Sequence, residues 1–121
     1  MIDEKGSINI SEDVVAAIAA SAAAEVKGVY GLYYSPGREV TQKMARRGIS
    51  RSIKLHIDGD DIAVDVFVLL SKDHSANEVG VDIQKAVISA IDDAIGVIVR
   101  AVNVHFCGVV LKNKPQPAVS K

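Results

Sequence analysis

The chain has 121 residues, 49% of them apolar, a formal net charge of −1 and one cysteine. That length suits a single domain with its own core, and a lone thiol excludes an internal disulfide, which fits a reducing, cytoplasmic setting. No stretch approaches the roughly 18 uncharged apolar residues that a membrane span requires, and the opening "MIDEKGS" lacks the apolar run of a signal peptide. Any membrane association is therefore expected to be peripheral or borrowed from a partner. The aromatic fraction is only 4%, so the core must be packed from Ala, Val and Ile.

The elements follow in chain order. "SINIS" alternates polar and apolar residues, which predicts a short strand over Ser7–Ile10. Ser11 has the character of a helix N-cap, with Glu12 and Asp13 suited to the positive end of the dipole. From there to Val26 neither Gly nor Pro interrupts, and Val15, Ile18, Ala22 and Val26 recur at helical spacing. Lys27 and Gly28 supply the stop. "GVYGLYY" predicts a short strand broken at Gly31, and "SPG" a turn. It contains glycines, but neither GxGxxG nor a following Lys-Ser/Thr, so it fails as a phosphate loop.

Six basic residues then lie within 17 positions (Arg38, Lys43, Arg46, Arg47, Arg51 and Lys54), against the single acid Glu39. The segment carries +5 in a chain that is otherwise acidic. It reads as an exposed, mobile excursion over residues 35–52. The overall charge argues against a DNA binder, while Arg38, Lys43, Arg46, Arg47 and Arg51 form a candidate surface for anionic lipid or RNA. No aromatic residues are interleaved with them, as single-strand binding would favour.

"SIKLHI" and "IAVDVFVLL", joined by "DGDD", predict a hairpin. Asp58, Asp60 and Asp61 in that turn lack the spacing of a calcium loop, and Asp-Gly turns arise for backbone reasons alone. Ser75 to Glu78 matches a capping box. A second helix then runs to about Ile95, with Val79, Ile83, Val87, Ile91 and Ile95 at strict i, i+4 spacing, and Gly96 ends it. A last strand spans about Val97 to Leu111, interrupted near Gly108. The tail, residues 112–121, has the composition of disorder. This order predicts an α+β two-layer sandwich: a small mixed sheet with two helices packed on one face, forming one domain over residues 1–111.

The last strand places Asn103, His105 and Cys107 on one face. A zinc site would want three or four ligands, and no CxxC or HxxxH accompanies His105-x-Cys107. A thiol nucleophile would want an orienting acid and an oxyanion site, and only Asp65, with His56 from a neighbouring strand, is on offer. The simpler reading is a half-exposed sheet face on which Cys107 acts as a small apolar residue. No catalytic residue, metal or cofactor is assigned. Lys54, His56, Asp65, Phe67, Asn103 and His105 are instead the candidate docking surface.

Two stretches carry a family likeness. "INISEDVVAAIAASAAAEVKGVYGL", through Ile10, Val14, Ile18, Ala19, Ala22, Glu25, Val26, Gly28, Val29 and Gly31, resembles the opening of the alkaline-shock (envelope stress response) protein family of Gram-positive bacteria. "VNVHFCGVVL", through Val102, Asn103, Val104, His105, Gly108 and Val109, resembles its closing strand. "IAVDVFVLL" and "NEVGVDIQKAV" fit the middle strand and second helix, whereas "SKDHSAN" replaces the tyrosine-glycine and proline usual between them. The resemblance implies a small cytoplasmic, non-enzymatic protein tied to envelope homeostasis. It also implies self-association, and collection at the membrane by a small membrane-anchored partner.

Overall fold

A computed structural model describes residues 2–3, 6–7, 9–33 and 52–111. The elements are β1 (Ile2–Asp3), β2 (Gly6–Ser7), α1 (Glu12–Ala24), β3 (Val29–Leu32), β4 (Ile53–Asp58), β5 (Asp61–Ser71), α2 (Ala76–Ile95) and β6 (Ala101–Val110). The basic residues Arg38, Lys43, Arg46, Arg47 and Arg51, and the tail, lie outside the described residues.

Both helices start where the sequence places their caps. The Ser11 hydroxyl accepts from the Val14 amide at 3.3 Å, and Ser75 accepts from the Glu78 amide at 3.4 Å, the forward half of the capping box. Gly96 ends α2 at φ 69°, its amide donating to the Asp92 carbonyl at 2.8 Å. α1 stops at Ala24, short of the expected Val26, because the Val26 amide turns back to the Ala23 carbonyl and tightens the last turn.

β5 is the spine of the main sheet. It pairs antiparallel along one edge with β4 and then β3, and parallel along the other with β6, so the sheet is mixed. The parallel neighbour is reached through α2, as a strand–helix–strand order requires. The strand expected at Ser7–Ile10 is replaced by a small hairpin, in which Ser7 pairs with Ile2 and Gly6 with Asp3. Asn9 and Ile10 are instead the exposed approach to the Ser11 cap. β6 begins at Ala101 and not near Val97. Val99 is buried and Val97 packs on the core while Ile98 between them is exposed, so burial alternates along this apolar run before β6 begins.

The core lies between the sheet and the helices. From β5, Val64, Val66, Val68 and Leu70 point into it; Ile83, Val87 and Ile91 from α2 and Ala19, Ala20 and Ala23 from α1 meet them. Alanine on α1 lets its backbone approach both α2 and the sheet, which fits a core lacking large aromatics. Gly28 permits the closest junction. At φ 101° it leads α1 into β3, and a Cβ there would lie 2.5 Å from Val79 Cγ2.

Candidate functional site

The helices cover one face of the sheet, and the alternate residues of its strands form the other. Register fixes the rows of this open face. Asp65 lies between Lys54 on β4 and Asn103 on β6, and Phe67 lies beside His105. The Tyr33 amide donates to the Phe67 carbonyl at 2.9 Å, which sets Tyr33 on the far side of Phe67. Leu69 lies between Gly31 and Gly108, and a Cβ at Gly108 would meet Leu69 Cδ2 at 3.3 Å. Lys54, His56, Asp65, Phe67, Asn103 and His105 are thus brought together on one surface. Leu69, which alternation along its own strand pairs with Phe67 as the apolar part of this face, joins them, as does Tyr33, which sequence reasoning did not single out. The signal for Tyr33 was its place beside Phe67, which needs the β3–β5 register.

Asp65 is the polar hub. His56 Nε2 donates to its Oδ2 at 2.7 Å, and Asn103 Nδ2 donates to Oδ1 at 2.8 Å. An ionised carboxylate only accepts, so the His56 proton belongs on Nε2. His105 Nε2 stands 3.7 Å from Oδ1. Burial pushes the Asp65 carboxyl up, but the hydrogen bonds from His56 and Asn103 and the charge of the His56 ring outweigh it, leaving the group below the ordinary aspartate value. Beside this hub the His105 ring stacks on Phe67, with centroids 4.5 Å apart and planes 12° from parallel. Lys54 Nζ sits 5.8 Å from the Phe67 centroid, within cation–π range.

The thiol stays apart from this cluster. Cys107 is the extra residue of a β-bulge, since Phe106 pairs with Val68 and Gly108 with Leu69. Among the described residues its Sγ approaches the His105 carbonyl, at 3.7 Å, and partial burial raises its pKa above the ordinary thiol value. An activated nucleophile would show the reverse. Among the described residues, no group of three or more His, Cys, Asp or Glu is arranged to hold a metal ion. The hairpin acids are also separate: Arg100 Nη1 pairs with Asp61 Oδ2 at 2.6 Å on the exposed surface, where such pairs are worth little. No described helix is long and apolar enough to cross a membrane.

What the fold and surface define is a two-layer α+β domain that presents an aromatic and polar sheet face to its surroundings. By sequence the chain belongs to the alkaline shock protein 23 (ASP23) family, cell envelope-related function, which it matches over residues 1–111. It is similar to the uncharacterized protein YloU of Bacillus subtilis, 27% identical over 110 residues, which cover 89% of this chain and 92% of that one. It is also similar to the uncharacterized protein Spy1535 of Streptococcus pyogenes serotype M6, 29% identical over 113 residues, covering 93% and 85%. A solved MamM-CTD structure shares the fold alone, with a TM-score of 0.50 and 17% identity over 81% of this chain and 98% of that chain.

Proposed function

We propose that this chain is a non-catalytic scaffold of the cell envelope. It self-associates, and a small membrane-anchored partner holds it peripherally at the membrane from the cytoplasmic side. Its open sheet face is the docking surface.

One observation carries this reading: the reactive-looking groups of the open face are engaged with one another. Both Asp65 oxygens accept hydrogen bonds from side chains on the neighbouring strands, and the His105 ring is stacked on Phe67. Among the described residues none is held towards the thiol. The result is a preordered platform with an apolar centre at Phe67 and Leu69 and a polar margin at Lys54, His56 and Asn103. Interfaces favour this distribution, with aromatic residues at the centre and polar residues at the rim.

The test is Phe67→Asp in a fluorescent fusion expressed in Bacillus subtilis. Phe67 lies opposite the core, so the variant should keep the wild-type circular dichroism spectrum. Wild type should outline the cell periphery and the variant should spread through the cytoplasm. A folded variant that stays at the periphery would overturn the docking assignment.

A further inference from the structure

The self-association proposed above has a second surface available, at the edge of β6. Among the described residues β6 pairs only with β5. The direction of its backbone groups follows from the hydrogen bonds of β5. The Phe67 carbonyl accepts from Tyr33 at 2.9 Å and the Ser71 amide donates to Gly28 at 2.8 Å, so odd-numbered β5 residues bond towards β3. Even-numbered residues face β6, as the Ile62 carbonyl does in accepting from Arg100 at 2.7 Å. At the observed register this directs Ala101, Asn103 and His105 towards β5, and turns the N–H and C=O groups of Val102, Val104 and Phe106 outward. The Gln84 side chain agrees with that assignment, donating to the Val102 carbonyl at 3.0 Å.

This edge lacks the usual protection. From Ala101 to Leu111 there is no Lys, Arg, Asp, Glu or Pro, the residues that ordinarily keep an exposed strand from pairing. The bulge at Cys107 comes after Phe106 and leaves the outward ladder from Val102 to Phe106 regular.

A second observation lies on the adjacent helix. Besides its buried stripe, α2 carries Val81 and Ile88, 46% and 37% exposed. They stand three residues before and four after Gln84, the residue that reaches β6, so all three share one flank. That flank is turned from α1, whose groove against α2 is lined by Ala86, Ala90 and Asp93. Val104 and Phe106 beneath it are only partly buried.

We propose that β6 pairs antiparallel with β6 of a second copy, about a twofold axis at Val104, and that the two α2 flanks close over the joint through Val81 and Ile88. The pairing sets Val104 against its own counterpart and Val102 against Phe106 of the second copy. Each outward donor then meets an acceptor, and one continuous sheet results. A second copy is the occupant because strand and helix flank are both self-complementary. A twofold contact needs only one such surface, and the edge has no charge with which to select an acidic or basic partner. Gln84 must release Val102, and its amide is then free to bond across the axis.

The test uses the full chain in sedimentation equilibrium, with Val81→Lys/Ile88→Lys as the disrupting variant. Both residues are exposed, so the monomer fold should persist. The expected result is a wild-type dimer and a dimer roughly 100-fold weaker in the variant, at about threefold for each of the four side chains, two per copy, lost from the interface. In parallel, Val104→Cys in a Cys107→Ser background should oxidise to a covalent dimer, because directly opposed residues have Cα atoms about 5.5 Å apart, within disulfide range. Val104 faces the helix layer, so contact through the open sheet face does not produce this link. A wild-type dimer that survives Val81→Lys/Ile88→Lys, with no Val104→Cys crosslink, overturns the edge assignment while leaving self-association standing. A wild type that stays monomeric at all concentrations overturns both.

Discussion

Gly28→Ala probes the junction on which the two-layer arrangement depends. An alanine at φ 101° occupies a region that L-residues rarely adopt, at a cost of about 1–3 kcal/mol. Its Cβ would lie 2.5 Å from Val79 Cγ2. Val79 is buried, so relief requires moving the start of α2 or an unfavourable rotamer, a further cost of about 1–3 kcal/mol. The smaller entropy of the unfolded chain returns about 0.4–1 kcal/mol. The net loss should be about 2–4 kcal/mol, a large share of the 5–15 kcal/mol typical of a domain. Urea unfolding followed by circular dichroism should show the midpoint falling by about 1–2 M, taking a slope of about 2 kcal/mol per M. Gly31→Ala is the control: nothing lies within 4 Å of a Cβ there, and its midpoint should stay near wild type. Val79→Ala removes the clashing methyl, so it should cost less beside Gly28→Ala than alone. Strict additivity, or equal midpoints for the two glycine variants, would refute the reasoning.

Three further outcomes follow from the same packing and electrostatics. Ala20→Leu places a large side chain where α1 lies against the core with no exposed surface; it should lower stability by about 1–3 kcal/mol in the same assay. Asp65 has a folded-state pKa below its unfolded value of 3.8, so its stabilisation is present above that pH and is lost as pH falls through the lower folded value. The stability gap between wild type and Asp65→Asn should therefore shrink as the urea series is carried from pH 5 down to about pH 3, and a constant gap would contradict this. Cys107, raised by burial, should alkylate with iodoacetamide more slowly at neutral pH than a free thiol of ordinary pKa; faster reaction would point to an activated thiolate.

Much of this fold was legible in the sequence because its signals are local. The strict i, i+4 stripe from Val79 to Ile91 marks α2, Ser11 and Ser75 mark the caps, and Asp-Gly marks the β4–β5 turn. Alternation along "IAVDVFVLL" separates core valines from Asp65 and Phe67 without any knowledge of partners. Pairing over long separation was not legible. Nothing local says that β3 and β4 share one edge of β5, and Gly108 marks an interruption of the last strand without saying that Cys107 is its extra residue. Nor does any local signal say that Val97 and Val99 pack on the core ahead of β6, or that Ser7 folds back on Ile2. The same limit applies to the surface. Alternation indicates which residues share the open face, but the Phe67–His105 stack and the two hydrogen bonds to Asp65 depend on the β4–β5–β6 register. The flank of Val81 and Ile88 was hidden because the stronger buried stripe dominates the pattern of α2.

The most direct test of the open face as a contact surface is hydroxyl-radical footprinting of the full chain, alone and bound to membranes from Bacillus subtilis, read residue by residue by mass spectrometry. Phe67, His56 and His105 should be oxidised in the free chain and protected on the membranes, while Val14 on the outer side of α1 stays as reactive as before. Unchanged oxidation of Phe67, His56 and His105 on bound membranes, with protection elsewhere, would contradict the account.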